Sequence, residues 1–556
     1  MRYKIQILGG LVAFLFLQCT SPKPETLTQT QLLVVGGGAS GVAAAIQAAR
    51  AGTEVLLIEE TPWLGGMLTA AGVSATDGNH RLPSGLWGEF RQKLYDHYGG
   101  PDSVFTGWVS NTQFEPHIGN RFWQEMADAE STLKRMHGWW PVSVERAGAK
   151  VIGATFMDSS GERLVVRAEM TIDATELGDL LEMAGATFFT GQDTPDDPHD
   201  PNIQDLTYAA ILKDYGAATD HLITNPPPYD PEEFKCLCLE ACDEPQPDTR
   251  DCETVLNYAL LPNQKYMINW PNNGNDYYTN PIPMSRAQRD SVYQLAKERT
   301  LAFVHFLQTE AAYPNLGLAD DEFPTEDKLP YIPYHREARR ILGQIQLRVE
   351  DIIDPYASAE RPLYQQAIAV GDYPLDHHHD KNPNAAPMEY PPIPSFSVPL
   401  GSLIPQELKG FLVAEKSISV THMVNGASRL QPCVILIGQA AGETAAVCIK
   451  TERSPQELNP IEVQQGLLDA GCWLLPFIDV PPSDPDFQTI QKVALKGWLR
   501  GKGVPYKWAN QTWFYPDSVL SWGEIADQVP LDFEQAPAPR SKREWAQFLS
   551  QESINP

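Results

Sequence analysis

An α/β chain built on a parallel sheet, opened by a long insertion and closed by a small helical module, is what this sequence predicts. Three observations predict it. A strand–turn–helix–strand unit stands near the N-terminus, the same strand-and-helix pattern returns after Leu400, and between them the composition shifts toward proline, tyrosine and acid. At 556 residues the chain exceeds one simple core, and length alone suggests roughly two to four domains.

The first element is not part of that body. Arg2 and Lys4 precede an apolar run from Ile5 to Leu17, then Gln18 and Cys19. A basic start and a run of this length match a secretory signal and are too short to span a bilayer as a mature helix. The cysteine after "FLFLQ" resembles that of a bacterial lipoprotein signal, in which Cys19 becomes the lipidated first residue. Gln18 stands where a small residue is usual. Residues 1–19 therefore read as signal and 20–31, polar and proline-bearing, as a tether. The expectation is an exported protein, anchored to the outer or cytoplasmic membrane through lipid alone and facing the periplasm or cell surface.

The second element is "LLVVGGGASGVAAAIQAARAGTEVLLIEE", Leu32 to Glu60. Leu32–Val35 reads as a buried strand, Ala39–Ala51 as a helix and Glu54–Ile58 as a second strand ending at Glu59. Between strand and helix lie Gly36, Gly38 and Gly41 as G-x-G-x-x-G. The first allows the tight turn, the second lets a pyrophosphate approach the backbone, and the third lets helix and strand pack closely. The helix N-terminus faces the phosphates with its partial positive charge. A carboxylate at Glu59 can accept both hydroxyls of an adenosine ribose and would repel a 2′-phosphate, so NADP is disfavoured while FAD and NAD stay open.

The later elements follow in order. "FEPHIGNRFWQEMADAE" reads as a turn and an amphipathic helix, and "KVIGATF" with "RLVVRAEMTIDAT" as hairpin strands. "TIDATELGDLLEMAGA" reads as strand, turn and helix, and Met284–Ala311 as a long helix within the insertion. "GFLVAEKSISV" reads as a strand, and "QPCVILIGQAAGETAAVCIK" as an apolar helix whose Pro432 costs no hydrogen bond at its start. The segments are 32–190 and 401–455 for the two parts of one nucleotide-binding domain and 191–400 for the insertion. Only one G-x-G-x-x-G occurs, so a second nucleotide-binding domain is not evident.

These stretches in collinear order resemble the bacterial FAD-dependent oxidoreductase family, relatives of the glutathione-reductase and fumarate-reductase flavoproteins. The marks are "VVGGGASGVAAAIQAARAG", "LGGMLT", "FEPH", "TIDATELGDLLEMAGA", "YHREARRILG", "AVGDYPLDHHH" and "GFLVAEKSISVTHMVNGASRLQPCVILIGQAAGETAA". The resemblance implies a Rossmann-like FAD-binding domain of glutathione-reductase type interrupted by an α+β substrate domain. It places the cofactor contacts on Gly36, Gly38, Ser40 and Gly41 in the first loop, and on Glu59. Further contacts fall on Gly65, Gly66 and Met67, on Asp173 and Ala174, and on Gln431 and Gly438 of the last helix. That helix would point its N-terminus at the flavin pyrimidine edge. The sequence departs from the family at three positions: Glu176 stands where "DATG" has glycine, and Glu415 and Lys416 replace a small, polar "AG" pair.

Flavin chemistry needs a base beside the substrate. His422, just before the last helix, is the first candidate. Arg336 and Arg339, with Arg340, could clamp an anionic substrate or the flavin carbonyls; on a helix Arg336 and Arg340 would share a face. Arg429 is assigned a structural-polar role. "DYPLDHHHD" suggests metal, with Asp376 and His378 the possible pair. Three consecutive histidines on a strand cannot all face one ion, however, and no metal is expected. Trp139 and Trp140 read as core or edge packing.

Export makes disulfides the first expectation for Cys236, Cys238, Cys242 and Cys252, with the pairing open, while Cys433, Cys448 and Cys472 read as buried small residues. Residues 470–535 resemble a single S-layer-homology-like helical module, through Phe477, Asp479, Val480 and Pro481, then Gly497 and Gly501, then Phe514, Pro516 and Glu524. The net charge of −29, from 71 acidic and 42 basic residues, excludes nucleic acid and an anionic membrane surface as natural partners. A small-molecule substrate, hydroxylated, with carbohydrates among the candidates, is the expected partner. The alternative is a surface glycan-binding or glycan-processing accessory protein whose FAD is structural or lost.

Overall fold

The structure, a computed structural model, describes residues 26–105, 110–192, 198–218, 220–239, 251–271, 273–357, 360–379, 381–531 and 537–551, without the side chains of 110 and 111. The signal, Cys19 and the start of the tether lie outside the described residues, as does Cys242.

Strand β1 (Thr26–Val35) leads into helix α1 (Ala39–Arg50) and strand β2 (Val55–Glu59). Helix α2 (Pro116–Asp128) precedes β3 (Leu133–His137), and an antiparallel meander follows: β4 (Trp139–Ala147), β5 (Lys150–Asp158) and β6 (Arg163–Asp173). The sheet order is β3–β2–β1–β6–β5–β4. β1 runs parallel to β2 and β6, in register Val35 to Ile58 and Val35 to Asp173. Leu32–Val35 are buried to 1% exposure or less, as expected of a parallel strand covered on both faces.

The insertion has its own four-stranded antiparallel sheet: β7 (Ala210–Asp214), β8 (Leu260–Leu261), β9 (Lys265–Ile268) and β10 (Leu316–Leu318), in the order β8–β9–β7–β10. With helix α3 (Arg286–Thr309) it encloses a separate core, including Leu212, Phe234, Phe303 and Phe306. A disulfide between Cys238 and Cys252 ties two short helices beside that core, and Cys236 is also disulfide-bonded. Cys433, Cys448 and Cys472 are free and buried.

The chain returns to the main body through β11 (Ala367–Gly371), antiparallel to β12 (Phe396–Pro399). It rejoins the first sheet with β13 (Phe411–Val413), which pairs parallel with the end of β6. Helix α4 (His422–Ser428) and helix α5 (Gln431–Thr451) follow. α5 is long and apolar enough to cross a membrane, yet 89% of its most apolar window is buried inside the protein, so it is a core helix. It packs backbone to backbone on α1: a Cβ at Gly438 would lie 2.0 Å from the Ser40 carbonyl oxygen, and one at Gly442 would lie 2.2 Å from that of Ala44.

Four readings of the sequence need correction. Residues 26–31, expected as tether, are the start of β1, and Thr26–Thr30 pair with Leu164–Ala168 of β6, so the polar run continues the sheet rather than leaving it. "GFLVAEKSISV" is not one strand, because the backbone turns after Val413 and Glu415 takes φ +57°. "HREARR" is irregular and extended rather than helical, ending in the short strand Arg340–Ile341. Its charged side chains find partners on several different elements, which a helix with one buried face does not allow. The C-terminal region is not purely helical: helices Phe487–Leu495, Trp522–Ile525 and Lys542–Gln551 alternate with two short antiparallel ladders. Its Trp473, Phe477, Phe487 and Trp545 join the same hydrophobic cluster as the main sheet, so it shares that core.

Candidate active site and nucleotide cleft

The carboxyl ends of β1, β2, β6 and β13 converge, and the loops that leave them make a cleft. Gly36, at φ +95°, could carry no Cβ, which would lie 2.4 Å from the Ala174 carbonyl oxygen; one at Gly41 would meet the Gly36 carbonyl oxygen at 1.8 Å. Tight turn and close packing are therefore both enforced. Gly65 and Gly66, both at positive φ, fold a second loop against the first, and Gly65 N–H donates to the Gly37 carbonyl at 2.9 Å. Met67 is fully buried beneath it.

One end of the cleft is open. A cavity of about 410 Å³ is lined by Gly36, Glu59, Trp140, Val142, Ala174 and Arg286 among others, within the size range of small-molecule sites. The Glu59 carboxylate accepts from Gly37 N–H at 2.5 Å and from Thr61 N–H at 2.7 Å, and burial pushes it up to about 7. Arg286 lies over the Trp140 ring, 4.1 Å from its centroid, and pairs with Glu60 at 2.5 Å.

The same cavity reaches Gly38, Gly66 and Glu176, and beside them protein groups occupy the start of α1. At the N-terminus of α1, the Glu415 carboxylate accepts from Ser40 N–H at 3.1 Å and from Ser40 Oγ at 2.6 Å. The Lys416 ammonium donates to Glu415 at 2.8 Å and to Glu176 at 2.7 Å. Burial alone would lower Lys416, but Glu176 and Glu415 hold it above the ordinary lysine value; burial raises Glu176. The remaining Glu176 oxygen, Oε1, is buried without a hydrogen-bond partner.

Several residues expected at the site have protein partners. Asp173 caps the short helix Asp179–Met183, accepting from Leu180 and Leu181 N–H at 3.0 and 3.2 Å, and burial raises it to about 6. Gly438 serves the α1–α5 contact. Gln431 bridges Asp77 N–H and the Ala75 carbonyl, each at 3.2 Å. Arg336 donates to the Asp205 carbonyl and Asp276, and lies over Tyr334. Arg339 donates to Asp179, Glu182 and the Leu177 and Ile282 carbonyls. Both guanidiniums are buried and committed to protein partners. Arg429, likewise buried, holds Asp376 and the Tyr334 hydroxyl.

His422 is the exception. It is 3% exposed and stands in a line: its Nδ1 is 3.0 Å from Glu337 and its Nε2 is 3.1 Å from His379 Nε2. Burial would raise Glu337, but His422 and Arg340 hold it well below the usual carboxylate range. Burial lowers His379 to about 4. His377 and His379 project to the same side, their rings parallel within 8°, whereas His378 turns away to Asp276 and Asp376. One ring nitrogen from each of His377, His379 and His422 lies within 4.8 Å of the others, as do the ligand atoms of Glu115, His117 and Glu322. The second group includes two carboxylates that bind the Lys265 ammonium, which stands where a cation would. Sequence reasoning overlooked Glu337 and His379; a lone acid among the arginines of "HREARR" was the available signal for the first.

A family model described as FAD dependent oxidoreductase matches residues 31–467. No curated protein matches the sequence. Among solved structures, a geranylgeranyl bacteriochlorophyll reductase-like protein from Thermoplasma acidophilum is 12% identical, covering 79% of this chain and 82% of its own, at a TM-score of 0.35. A flavin-dependent brominase is 10% identical over 84% and 87%, at 0.36. The E. coli quinol fumarate reductase is 13% identical over 80% and 74%, at 0.30. At such scores these likenesses fix neither substrate nor activity.

Proposed function

This chain belongs to the FAD dependent oxidoreductase family, and from that premise we propose that it oxidises a small hydroxylated molecule, a carbohydrate first among the candidates. FAD is the cofactor, and when bound it supplies the acceptor for the hydride that leaves the substrate carbon. The adenosine end of the cleft fits it: Glu59 at the end of β2, the bare backbone of Gly36 and Gly38, and the walls at Trp140 and Val142 are in place. The diphosphate end fits only if the Glu415 side chain moves off α1.

The observation that carries the proposal is the line Glu337–His422–His379. An ionised Glu337 fixes the proton on His422 Nδ1, so that Nε2, which faces His379 Nε2, is the nitrogen through which a proton is exchanged, and it stabilises the imidazolium that results. His379, partly exposed, is the outward end of this relay. Tyr390, 42% exposed and stacked on His377, offers the aromatic face on which a sugar ring can lie. Arg336 and Arg339 act through the walls they hold, positioning rather than clamping.

A purified protein supplied with FAD should bleach anaerobically with its substrate, and a panel of sugars and hydroxy acids is the screen. His422→Asn should lower the rate of bleaching by about 10²–10⁴-fold; an unchanged rate removes His422 as the base. The second reading, a glycan-binding accessory protein with structural or lost FAD, is favoured by the carboxylate on α1. A colourless protein that refuses FAD yet is retained on immobilised glycan would establish it. Anchoring through Cys19 completes the proposal: intact-mass analysis of the membrane fraction should find a lipidated Cys19 as the first residue, and an unmodified N-terminus sinks it.

A further inference from the structure

We propose that Glu415 is a built-in occupant of the diphosphate seat, and that a dinucleotide takes the seat only by displacing it. The proposal rests on the FAD reading above for its ligand, but on this chain's own side chains for its argument. The seat is the N-terminus of α1, a twelve-residue helix whose first amides attract an anion. In this chain that anion is already present. Glu415 has no exposed side-chain surface and accepts both Ser40 donors, N–H and Oγ.

The surroundings hold it there. Glu415 shares the Lys416 ammonium with Glu176, so two carboxyl groups face one cation. The unpartnered Glu176 oxygen would lie 2.6 Å from a Cβ on Gly66 and 3.3 Å from one on Gly38. The two glycines that leave room for phosphate thus look onto carboxylate oxygens. A diphosphate entering this space meets repulsion from both acids and finds its donors at Ser40 taken. The backbone points the same way: Glu415 sits at φ +57°, a left-handed conformation that side chains resist and glycine adopts freely. The cavity beside Glu59 and Trp140 runs on to Gly38, Gly66 and Glu176, but Glu415 is not part of its lining. Glu415 is therefore the residue that sets how much the diphosphate and flavin add to the affinity of the adenosine half.

The experiment is calorimetric titration of the purified full chain with adenosine, ADP and FAD, for wild type, Glu415→Gly and Glu415→Gln. Glycine suits the left-handed backbone and leaves Lys416 paired with Glu176, so that variant keeps a neutral, folded seat; unchanged adenosine binding reports an intact cleft. In wild type, FAD and ADP should bind no more tightly than adenosine. In Glu415→Gly both should gain at least about tenfold while adenosine stays within about twofold, and Glu415→Gln should fall between. Tight FAD binding by wild type with no gain in Glu415→Gly overturns the plug and leaves the FAD reading standing. A gain for ADP without one for FAD upholds the plug and removes the FAD reading. A chain that binds none of the three in any variant overturns both.

Discussion

Glu415 and Glu337 are both buried carboxylates held by a cation, and the difference between them lies in what else surrounds them. Glu337 is fully satisfied: Arg340 and His422 reach one oxygen and Gln204 N–H donates to the other at 3.0 Å. Its charge is balanced and its carboxyl is held down. Glu415 shares its single ammonium with Glu176, which is pushed up by burial and keeps an oxygen without a partner. A balanced cluster can poise a proton on a neighbour; an overcrowded one can only occupy space or repel. The first arrangement suits a base, the second a plug.

Removing the balanced acid should do the most damage. Glu337→Ala takes a buried carboxylate from both the Arg340 guanidinium and His422 and should cost about 4 kcal/mol at pH 7, read by chemical denaturation. The sign with pH follows from the depressed carboxyl. Its contribution is fully present above the unfolded value, near 4.5, and is lost as pH falls through the folded one, so the gap between wild type and variant should close only in strong acid. A loss of under about 1 kcal/mol would make the two clusters equivalent.

The contrast was only partly legible in the sequence. The first loop was legible because its glycines answer a steric demand that no other residue meets, and α5 because its apolar run and Pro432 leave few alternatives. The arginines were not. A helical reading of "HREARR" aligned Arg336 with Arg340, whereas the extended chain sends each to a separate buried partner. Nor does composition show that alternate histidines of "DHHH" would meet His422, which lies 43 residues beyond His379. Glu176 and Glu415 stood out as departures from the family pattern, yet their meeting across the mouth of α1 is tertiary: β13 must pair with β6 to bring them together.

Lys416→Met separates the clusters a second way. Two carboxylates then share a buried site with no cation, a loss of about 3 kcal/mol at pH 8. Here the pH dependence runs opposite to that of Glu337. A carboxyl already raised by burial rises further without the ammonium, so the stability it contributes is present below its unfolded value and lost as pH climbs through the folded one. The variant should therefore melt closer to wild type at pH 5 than at pH 8. A deficit that shrinks toward alkaline pH would mean the acids are not what Lys416 neutralises.

The smallest stability effect is expected at Glu415 itself, and it is the most telling. Glu415→Gly gives up the hydrogen bonds to Ser40, worth about 1.5–3 kcal/mol net where the acceptor is charged, and its share of the Lys416 ammonium. It also relieves repulsion with Glu176 and frees a left-handed residue of its side chain, gains of similar size. Lys416 and Glu176 remain as a pair at 2.7 Å. The opposing effects should leave the stability of the ligand-free chain within about 1 kcal/mol of wild type, against about 4 for Glu337→Ala. That outcome would mean that a residue so deeply buried and hydrogen-bonded is held in place by something other than its contribution to the fold. If Glu415→Gly instead unfolds the chain as readily as Glu337→Ala, then Glu415 is the cap that α1 requires and its place in the phosphate seat is a consequence of folding alone.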